Sequence, residues 1–124
     1  MKLYKNIQSV FLLILRKYIF YFSVLISFAN ANDSYKIDHL EPPFWWAGMA
    51  DDHLQILVHG KHISELNPEI SYPGISVFEV NKIKNPNYLF INLKLSRNLK
   101  PGEFDIVFKK NTTIQIRYKY KILE

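Results

Sequence analysis

The feature that most restricts how this chain can fold is the segment Glu41-Pro42-Pro43-Phe44-Trp45-Trp46-Ala47-Gly48-Met49, which holds both tryptophans. Two adjacent prolines fix φ and remove two backbone donors, so the segment cannot lie in a helix interior or a central strand. We predict a stiff, extended connection. Successive side chains of an extended chain point to opposite sides, so Trp45 and Trp46 cannot enter the same core. One indole is expected in the core and the other at the surface. For both, a structural packing role is a simpler interpretation than contact with a ligand.

The distribution of charge argues against a nucleic-acid partner. The 124 residues have room for one small domain, and they carry 16 basic and 11 acidic residues. Four of the basic residues fall in residues 1–31, which contain no acid, so 16 − 4 = 12 basic residues face 11 acidic ones in the remainder. Nucleic-acid affinity needs clustered positive charge, and this body is almost neutral. The absence of cysteine removes disulfides and thiolate metal sites.

Residues 1–31 have the pattern of a helical, cleavable secretory signal peptide. A basic start is followed by an apolar run, Tyr18–Phe28, and by the small-x-small sequence Ala29-Asn30-Ala31, so we predict cleavage after Ala31. The mature chain would then be periplasmic or secreted, and it would meet a membrane only through the signal peptide during export. The lack of cysteine suits a bacterial envelope compartment at least as well as eukaryotic secretion.

The alternative for this segment is an uncleaved membrane anchor. It would join Val10–Leu15 to Tyr18–Phe28 in one helix. Arg16 and Lys17 would then lie near the middle of the bilayer, at about 2.5–3.5 kcal/mol each. The apolar run alone is shorter than the ~20 residues needed to span a bilayer. A cleaved signal is therefore favoured.

Residues 32–124 carry strand signals along nearly their whole length. The sequence predicts a first strand over Tyr35–Leu40, a later one over Glu69–Tyr72, and a β-bulge near Phe78, where the alternation loses phase. Two strands alternate most clearly, with their apolar positions at Leu89, Ile91, Leu93 and Leu95 and at Ile114, Ile116, Tyr118, Tyr120 and Ile122. Six or seven strands separated by turn residues predict an all-β, antiparallel sandwich, because each sheet has one apolar face to bury.

No catalytic, metal or cofactor site is predicted. Retaining glycoside hydrolysis needs two carboxyl groups about 5–5.5 Å apart across a cleft. The acids here fall in turns or on the polar sides of strands: Asp51, Asp52, Glu65, Glu69, Glu79, Glu103 and Asp105. His59 and His62 have no convincing third ligand nearby, whereas zinc requires three or four. A phosphate-binding loop and a serine nucleophile motif are also missing from the sequence.

The mature sequence resembles a known domain over nearly all its length. The stretch Ile37–Met49, with its Pro-Pro-Phe-Trp-Trp block and following Gly-Met, looks like the start of the N-terminal domain of cyclomaltodextrinases and neopullulanases, enzymes of the α-amylase superfamily. Asn85–Ile91 and Lys100–Phe108 look similar too. The resemblance implies an immunoglobulin-like sandwich of about seven strands that precedes a (β/α)₈ barrel and hydrolyses nothing itself. In such enzymes it packs beside the barrel and often helps form a dimer in which one subunit borders the other's active site.

The chain departs from that family where it stops. Tyr118–Glu124 lies about where the linker to the barrel would begin, and the barrel's aspartate nucleophile and glutamate acid/base are not in the sequence. We therefore expect a fragment, a truncated product or a detached module of an exported α-glucan hydrolase. Whether the intact protein is an enzyme stays open, because the family consists of glycoside hydrolases while this chain offers no catalytic residue.

Two functions follow from these patterns. In the first, the chain is a non-catalytic accessory domain that packs against a catalytic barrel or a second subunit. In the second, it is a stand-alone module that stacks α-glucan on an exposed indole. Both use the same candidate contact residues: Pro43, Phe44, Trp45, Trp46, Met49, Tyr72 and Tyr88. Ala47-Gly48 favours the first, since small residues allow another backbone to approach closely. A third class, an adhesion or pilus-like sandwich, would exchange strands between copies.

Overall fold

The structure, a computed structural model, describes residues 2–26 and 34–124, and it divides them into two compact units. The first unit contains one helix and the second contains eight strands and a short 3₁₀ helix. The elements are α1 (Lys2–Ile26), β1 (His39–Glu41), β2 (Trp45–Trp46), β3 (His53–His59), the 3₁₀ helix (Ile63–Glu65), β4 (Asn67–Ile70), β5 (Ile75–Lys82), β6 (Tyr88–Leu95), β7 (Gly102–Lys110) and β8 (Thr113–Leu123).

The N-terminal unit is the helix α1. Over the described residues, the structure contains no helix that is both long enough and apolar enough to cross a membrane. The predicted cleavage site after Ala31 lies outside the described residues. Export through a cleaved signal therefore stays a prediction.

The second unit confirms the predicted sandwich. Its first sheet has the order β1-β3-β6-β5 and its second has the order β2-β8-β7-β4. All strand pairs are antiparallel except β2 with β8. The chain leaves the first sheet after Glu41, passes Pro42 and Pro43 through a cis Glu41-Pro42 bond, and enters the second sheet at Trp45. The double proline thus lies where the chain changes sheets, and β2 is an edge strand of the second sheet.

Side chains that alternate along the strands form the core between the two sheets. Along β6 the buried residues are those predicted, Leu89, Ile91, Leu93 and Leu95. They meet Ile56 and Val58 of β3 in the same sheet and belong to one cluster with Phe108 and Tyr120 of the second. This cluster holds the two sheets together through burial of apolar surface.

Two predicted strands have different bounds. The first strand begins at His39 rather than Tyr35: Asp38 still donates its amide to the His59 carbonyl at 2.9 Å, but no ladder forms before it. The strand placed at Glu69–Tyr72 is β4, Asn67–Ile70, and it includes Pro68. Pro68, which has no backbone N–H, is tolerated because β4 pairs only with β7. The other edge of β4 has no partner strand that would need this donor.

Two β-bulges decide which side chains face the core. The bulge predicted near Phe78 is present, since the register of β5 shifts between Val77 and Glu79. A second shift, between Phe108 and Lys109, pairs Lys109 with Ile114. Ile114 is therefore exposed and lies beside Arg117 on the outer face of the second sheet. The prediction that Ile114 shares a face with Ile116 was wrong, because the bulge reverses the alternation there.

Candidate functional site

The two tryptophans separate as predicted. Trp45 pairs with Ile122 of β8 and packs against the core, whereas Trp46 pairs with Leu123 and keeps 40% of its surface exposed. Phe44, also exposed, meets the Trp46 indole edge-on, with ring centroids 5.1 Å apart. A two-residue strand on the sheet edge is sufficient to fix this arrangement, since the Ala47 amide adds a further hydrogen bond to the Leu123 carbonyl at 2.8 Å.

Trp46 forms one wall of a cleft of about 560 Å³. The other walls come from the loop that leads into β3 and the loop that follows β6. The lining residues are Trp46, Gly48, Met49, Ala50, Asp51, Asp52, Leu95, Ser96, Arg97 and Leu99. The two loops are joined by a hydrogen bond from the Leu95 amide to the Asp52 carbonyl at 2.7 Å. The site therefore combines an indole and a thioether with two carboxylates and a guanidinium.

The remaining candidate contact residues are not all in this cleft. Pro43 is exposed beside Phe44 in the connection before β2. Tyr72 stacks on Phe104, with centroids 4.8 Å apart, and its hydroxyl donates to the carbonyls of Lys100 and Pro101 at 3.0 and 3.2 Å. Tyr72 lines a neighbouring pocket, and Ser96 lines both that pocket and the cleft.

Tyr88 lies farther away. It begins β6, whereas Leu95, which lines the cleft, ends that strand, so about 20 Å of extended chain separates them. Its ring packs on His59 at 4.7 Å. Trp46 and Met49 are thus brought together in one cleft, and Tyr88 is left at the opposite end of the first sheet.

Sequence reasoning missed the polar half of the cleft. The sequence predicts only a polar turn at Asp51 and Asp52, and Ser96 and Arg97 lie more than forty residues farther along the chain. The proximity depends on the pairing of β3 with β6, which sets Leu54 beside Leu93 and so brings the two loops to one end of the sheet. The sequence pattern does not give the order of the strands, so it could not reveal that these two loops are close together.

Asp51, Asp52 and His53 bring three potential ligand atoms within 4.8 Å of one another. The His53 Nδ1 lies 2.8 Å from an Asp52 oxygen, and the other Asp52 oxygen is 3.6 Å from Lys94 Nζ. The group is open to solvent and Asp52 already has two partners. Exposed acidic groups of this kind are common without a metal, so the arrangement alone is not evidence of a metal centre.

His59 and His62, which are close in sequence, have separate partners. His59 Nδ1 lies 3.6 Å from Asp38, and His62 Nδ1 lies 3.3 Å from Glu65. Each imidazole is therefore directed towards its own carboxylate. His62 precedes the 3₁₀ helix, whereas His59 lies at the end of β3.

Glu65 also belongs to a cluster with Tyr35 and Lys110 that ties the start of the sandwich to the β7-β8 turn. Lys110 Nζ donates to Glu65 at 2.8 Å and to the Tyr35 hydroxyl at 2.6 Å, and that hydroxyl donates to Glu65 at 2.8 Å. The hydrogen bond from Lys110, followed by that from Tyr35, lowers the pKa of the Glu65 carboxyl. The same contact with Glu65 raises the pKa of Lys110. The three hydrogen bonds of the cluster therefore have a structural role, which is to hold these two parts of the sandwich together.

Two polar atoms in the described interior have no hydrogen-bond partner, Trp45 Nε1 and the Tyr120 hydroxyl. Burial, with a smaller contribution from Tyr118, raises the pKa of Tyr120, so this phenol stays neutral at physiological pH. An unpaired neutral donor inside a core is costly to stability but offers no proton-transfer partner. Both atoms are therefore parts of the packing.

The charged groups of the cleft lie at the surface, beside the exposed Trp46. Among the described residues no charged side chain is buried. An exposed indole with a polar surround is typical of a contact surface.

A sandwich of two sheets with these strand orders defines a class, the immunoglobulin-like β-sandwich domain. Comparison with known families identifies which one. A family model described as cyclomaltodextrinase, N-terminal, matches residues 39–124. The chain belongs to this family, and its sandwich is an accessory domain of that enzyme type.

Proposed function

We propose that this chain is the non-catalytic accessory domain of an exported α-glucan hydrolase of the cyclomaltodextrinase and neopullulanase type, and that it packs against a catalytic (β/α)₈ barrel or a second subunit. Residues 1–31 would direct it to the periplasm or the exterior and be removed after Ala31. Family membership supports a catalytic domain as the partner, since an N-terminal domain of this enzyme accompanies one in the parent protein.

The observation that carries the proposal is the exposed Trp46 at the cleft. Phe44, Trp46 and Met49 are all exposed and close in sequence, so they offer an apolar contact surface at one edge of the sandwich. Tryptophan is among the residues that contribute most to protein–protein affinity, particularly when polar groups surround it. Asp51, Asp52 and Arg97 supply such a surround.

The outer face of the second sheet has the opposite character. Acidic side chains of β7 lie beside basic side chains of β8, with Glu103 at 3.6 Å from Lys121 and Asp105 at 3.9 Å from Lys119. These pairs are exposed and typical of a solvated face, where each contributes little to stability. The contrast favours the Trp46 end, rather than this ion-paired face, as the docking surface.

The test is association with a barrel. Residues 34–124 would be mixed with the catalytic barrel of a cyclomaltodextrinase prepared without its own N-terminal domain, and binding would be followed by calorimetry. We expect Trp46→Ala to weaken binding at least about tenfold, because the indole is the largest exposed apolar group at the cleft. Lys119→Ala, on the ion-paired face, is the matched control and should bind as the unmodified domain does. Equal affinity of the Trp46→Ala variant would contradict the proposal.

A second candidate function rests on the same cleft. An indole face can stack on a sugar ring. Carboxylates beside it can accept hydrogen bonds from the sugar hydroxyls, and a guanidinium can donate to them. The isolated domain would then bind α-glucan without a partner. Titration with a maltooligosaccharide separates the two candidate functions. Heat of binding together with a change in tryptophan fluorescence, both lost in Trp46→Ala, would support the glucan-binding module. No heat and no fluorescence change would count against it.

A further inference from the structure

Two histidines lie side by side on the outer face of the first sheet. His39 of β1 and His59 of β3 are directly paired across the two antiparallel strands. Leu40 is buried in the core, so its neighbours His39 and Glu41 point outward. The ring centroids of His39 and His59 are 5.4 Å apart. Strand pairing therefore holds two imidazoles within reach of a common ligand.

This spacing is close to that of two imidazoles bound to one metal ion. A tetrahedral ion with metal–nitrogen bonds of about 2.0–2.1 Å holds its ligand atoms about 3.3 Å apart and the centroids of two bound imidazoles about 5 Å apart. Neutral imidazole suits Zn²⁺, Cu²⁺ and Ni²⁺. The pair is open to such an ion, since 54% of the His39 side chain and 29% of the His59 side chain are exposed.

Two carboxylates lie beside the histidine pair. Glu41 Oε1 is 3.6 Å from His39 Nε2, a distance close to the ligand spacing of a tetrahedral ion. Asp38 is 3.6 Å from Nδ1 of His59. A carboxylate beside one ring nitrogen orients an imidazole and leaves the other nitrogen for a metal ion. Asp38 therefore leaves His59 Nε2 as the ligand atom.

We propose that His39, His59 and Glu41 bind a divalent transition-metal ion that favours imidazole, with Zn²⁺ as the representative. Asp38 is then a positioning residue. Among the described residues, these three do not bring their ligand atoms within 4.8 Å of one another, so the exposed Glu41 side chain rotates towards the imidazoles when the ion binds. The ion joins β1, a strand of three residues, to β3. This proposal does not depend on the barrel or glucan proposals.

The acidic group at the Trp46 cleft has a different chemistry. Asp51, Asp52 and His53 do bring three ligand atoms together, but two of the three are carboxylate oxygens. Asp52 also pairs with Lys94 at 3.6 Å. An oxygen-rich set suits Ca²⁺ or Mg²⁺, whereas two imidazoles select Zn²⁺, Cu²⁺ or Ni²⁺. His53 therefore supplies a matched control for the histidine pair.

The experiment is calorimetric titration of the full 124-residue chain, purified without a histidine tag, with Zn²⁺. We expect His39→Gln and His59→Gln each to weaken binding at least about tenfold, because each removes one of the two imidazoles. Glu41→Gln should weaken it at least about threefold, since an amide is a poorer ligand than a carboxylate. His53→Gln should change it less than about threefold. Excess Ca²⁺ should not displace Zn²⁺.

Two further measurements identify the ligands and the role of the ion. In nuclear magnetic resonance spectra, Zn²⁺ should shift the ring signals of His39 and His59 and leave those of His53 unchanged. Saturating Zn²⁺ should raise the urea midpoint of the unmodified chain but not that of His39→Gln. No Zn²⁺ binding by the unmodified chain, an equal loss of affinity in His53→Gln, or ring shifts confined to His53 would each overturn the proposal.

Discussion

Phe108→Ala is expected to lower the free energy of unfolding of the sandwich by about 3–5 kcal/mol, because it removes a large side chain from the core and leaves a cavity. Phe108 is fully buried and lies in β7 between two paired neighbours, opposite Pro68 of β4 and Ile116 of β8. A domain of this size has about 5–14 kcal/mol of stability in total. The substitution would therefore remove a large share of it.

The measurement is urea unfolding of residues 34–124, followed by the fluorescence of Trp45, which packs against the core. Phe78→Ala is the matched control, since it deletes the same side chain at a bulge where Phe78 is 59% exposed. It should cost less than about 1 kcal/mol, as surface substitutions usually do. Equal losses in the two variants would contradict the placement of Phe108 at the centre of the core.

Gly60→Ala should be the second most damaging change, at about 2–3 kcal/mol, although it adds only a methyl group. Gly60 is buried, and a Cβ at this position would overlap the carbonyl oxygen of Lys36 and lie 3.1 Å from the Ile37 Cα. Backbone atoms cannot rotate away as a flexible side chain can. The segment before β1 must therefore be displaced, which disturbs the Tyr35 contacts with Glu65 and Lys110.

Truncation identifies the cause of that loss. In a chain that begins at Asp38 the clashing carbonyl is absent, so Gly60→Ala should cost less than about 1 kcal/mol relative to the same truncated parent. Urea midpoints of the four proteins give both differences. The same loss in the long and the short chain would show that the clash with Lys36 is not the source.

The sequence pattern of a single segment was sufficient to predict the structure wherever the side chains alternate strictly between the two faces of a strand. The alternation along β6 predicted its buried residues, and the phase fault at Phe78 predicted the bulge in β5. The double proline predicted a connection outside helices and central strands, and the alternation of an extended chain predicted the separation of Trp45 from Trp46. Each of these depends on the geometry of one strand, which the sequence expresses directly.

Features that depend on a second strand escaped prediction. The bulge opposite Phe108 reverses Ile114, and it is set by the register between β7 and β8 rather than by either strand alone. Pro68 was expected to precede a strand, yet it lies inside β4 because that strand has one neighbour only. Likewise Arg97 reaches the Trp46 cleft only through the order of the first sheet. Pairing between distant strands carries this information, and periodicity does not.

We propose that the sandwich docks on a catalytic barrel through the cleft beside Trp46. Backbone hydrogen exchange of residues 34–124, measured alone and with the barrel of a cyclomaltodextrinase, tests it most directly. We predict slower exchange in the two loops of the cleft, at Gly48–Asp52 and at Arg97 and Asn98, with the outer face of β7 and β8 unchanged. Slower exchange confined to that outer face, or no change in either loop, would contradict the claim.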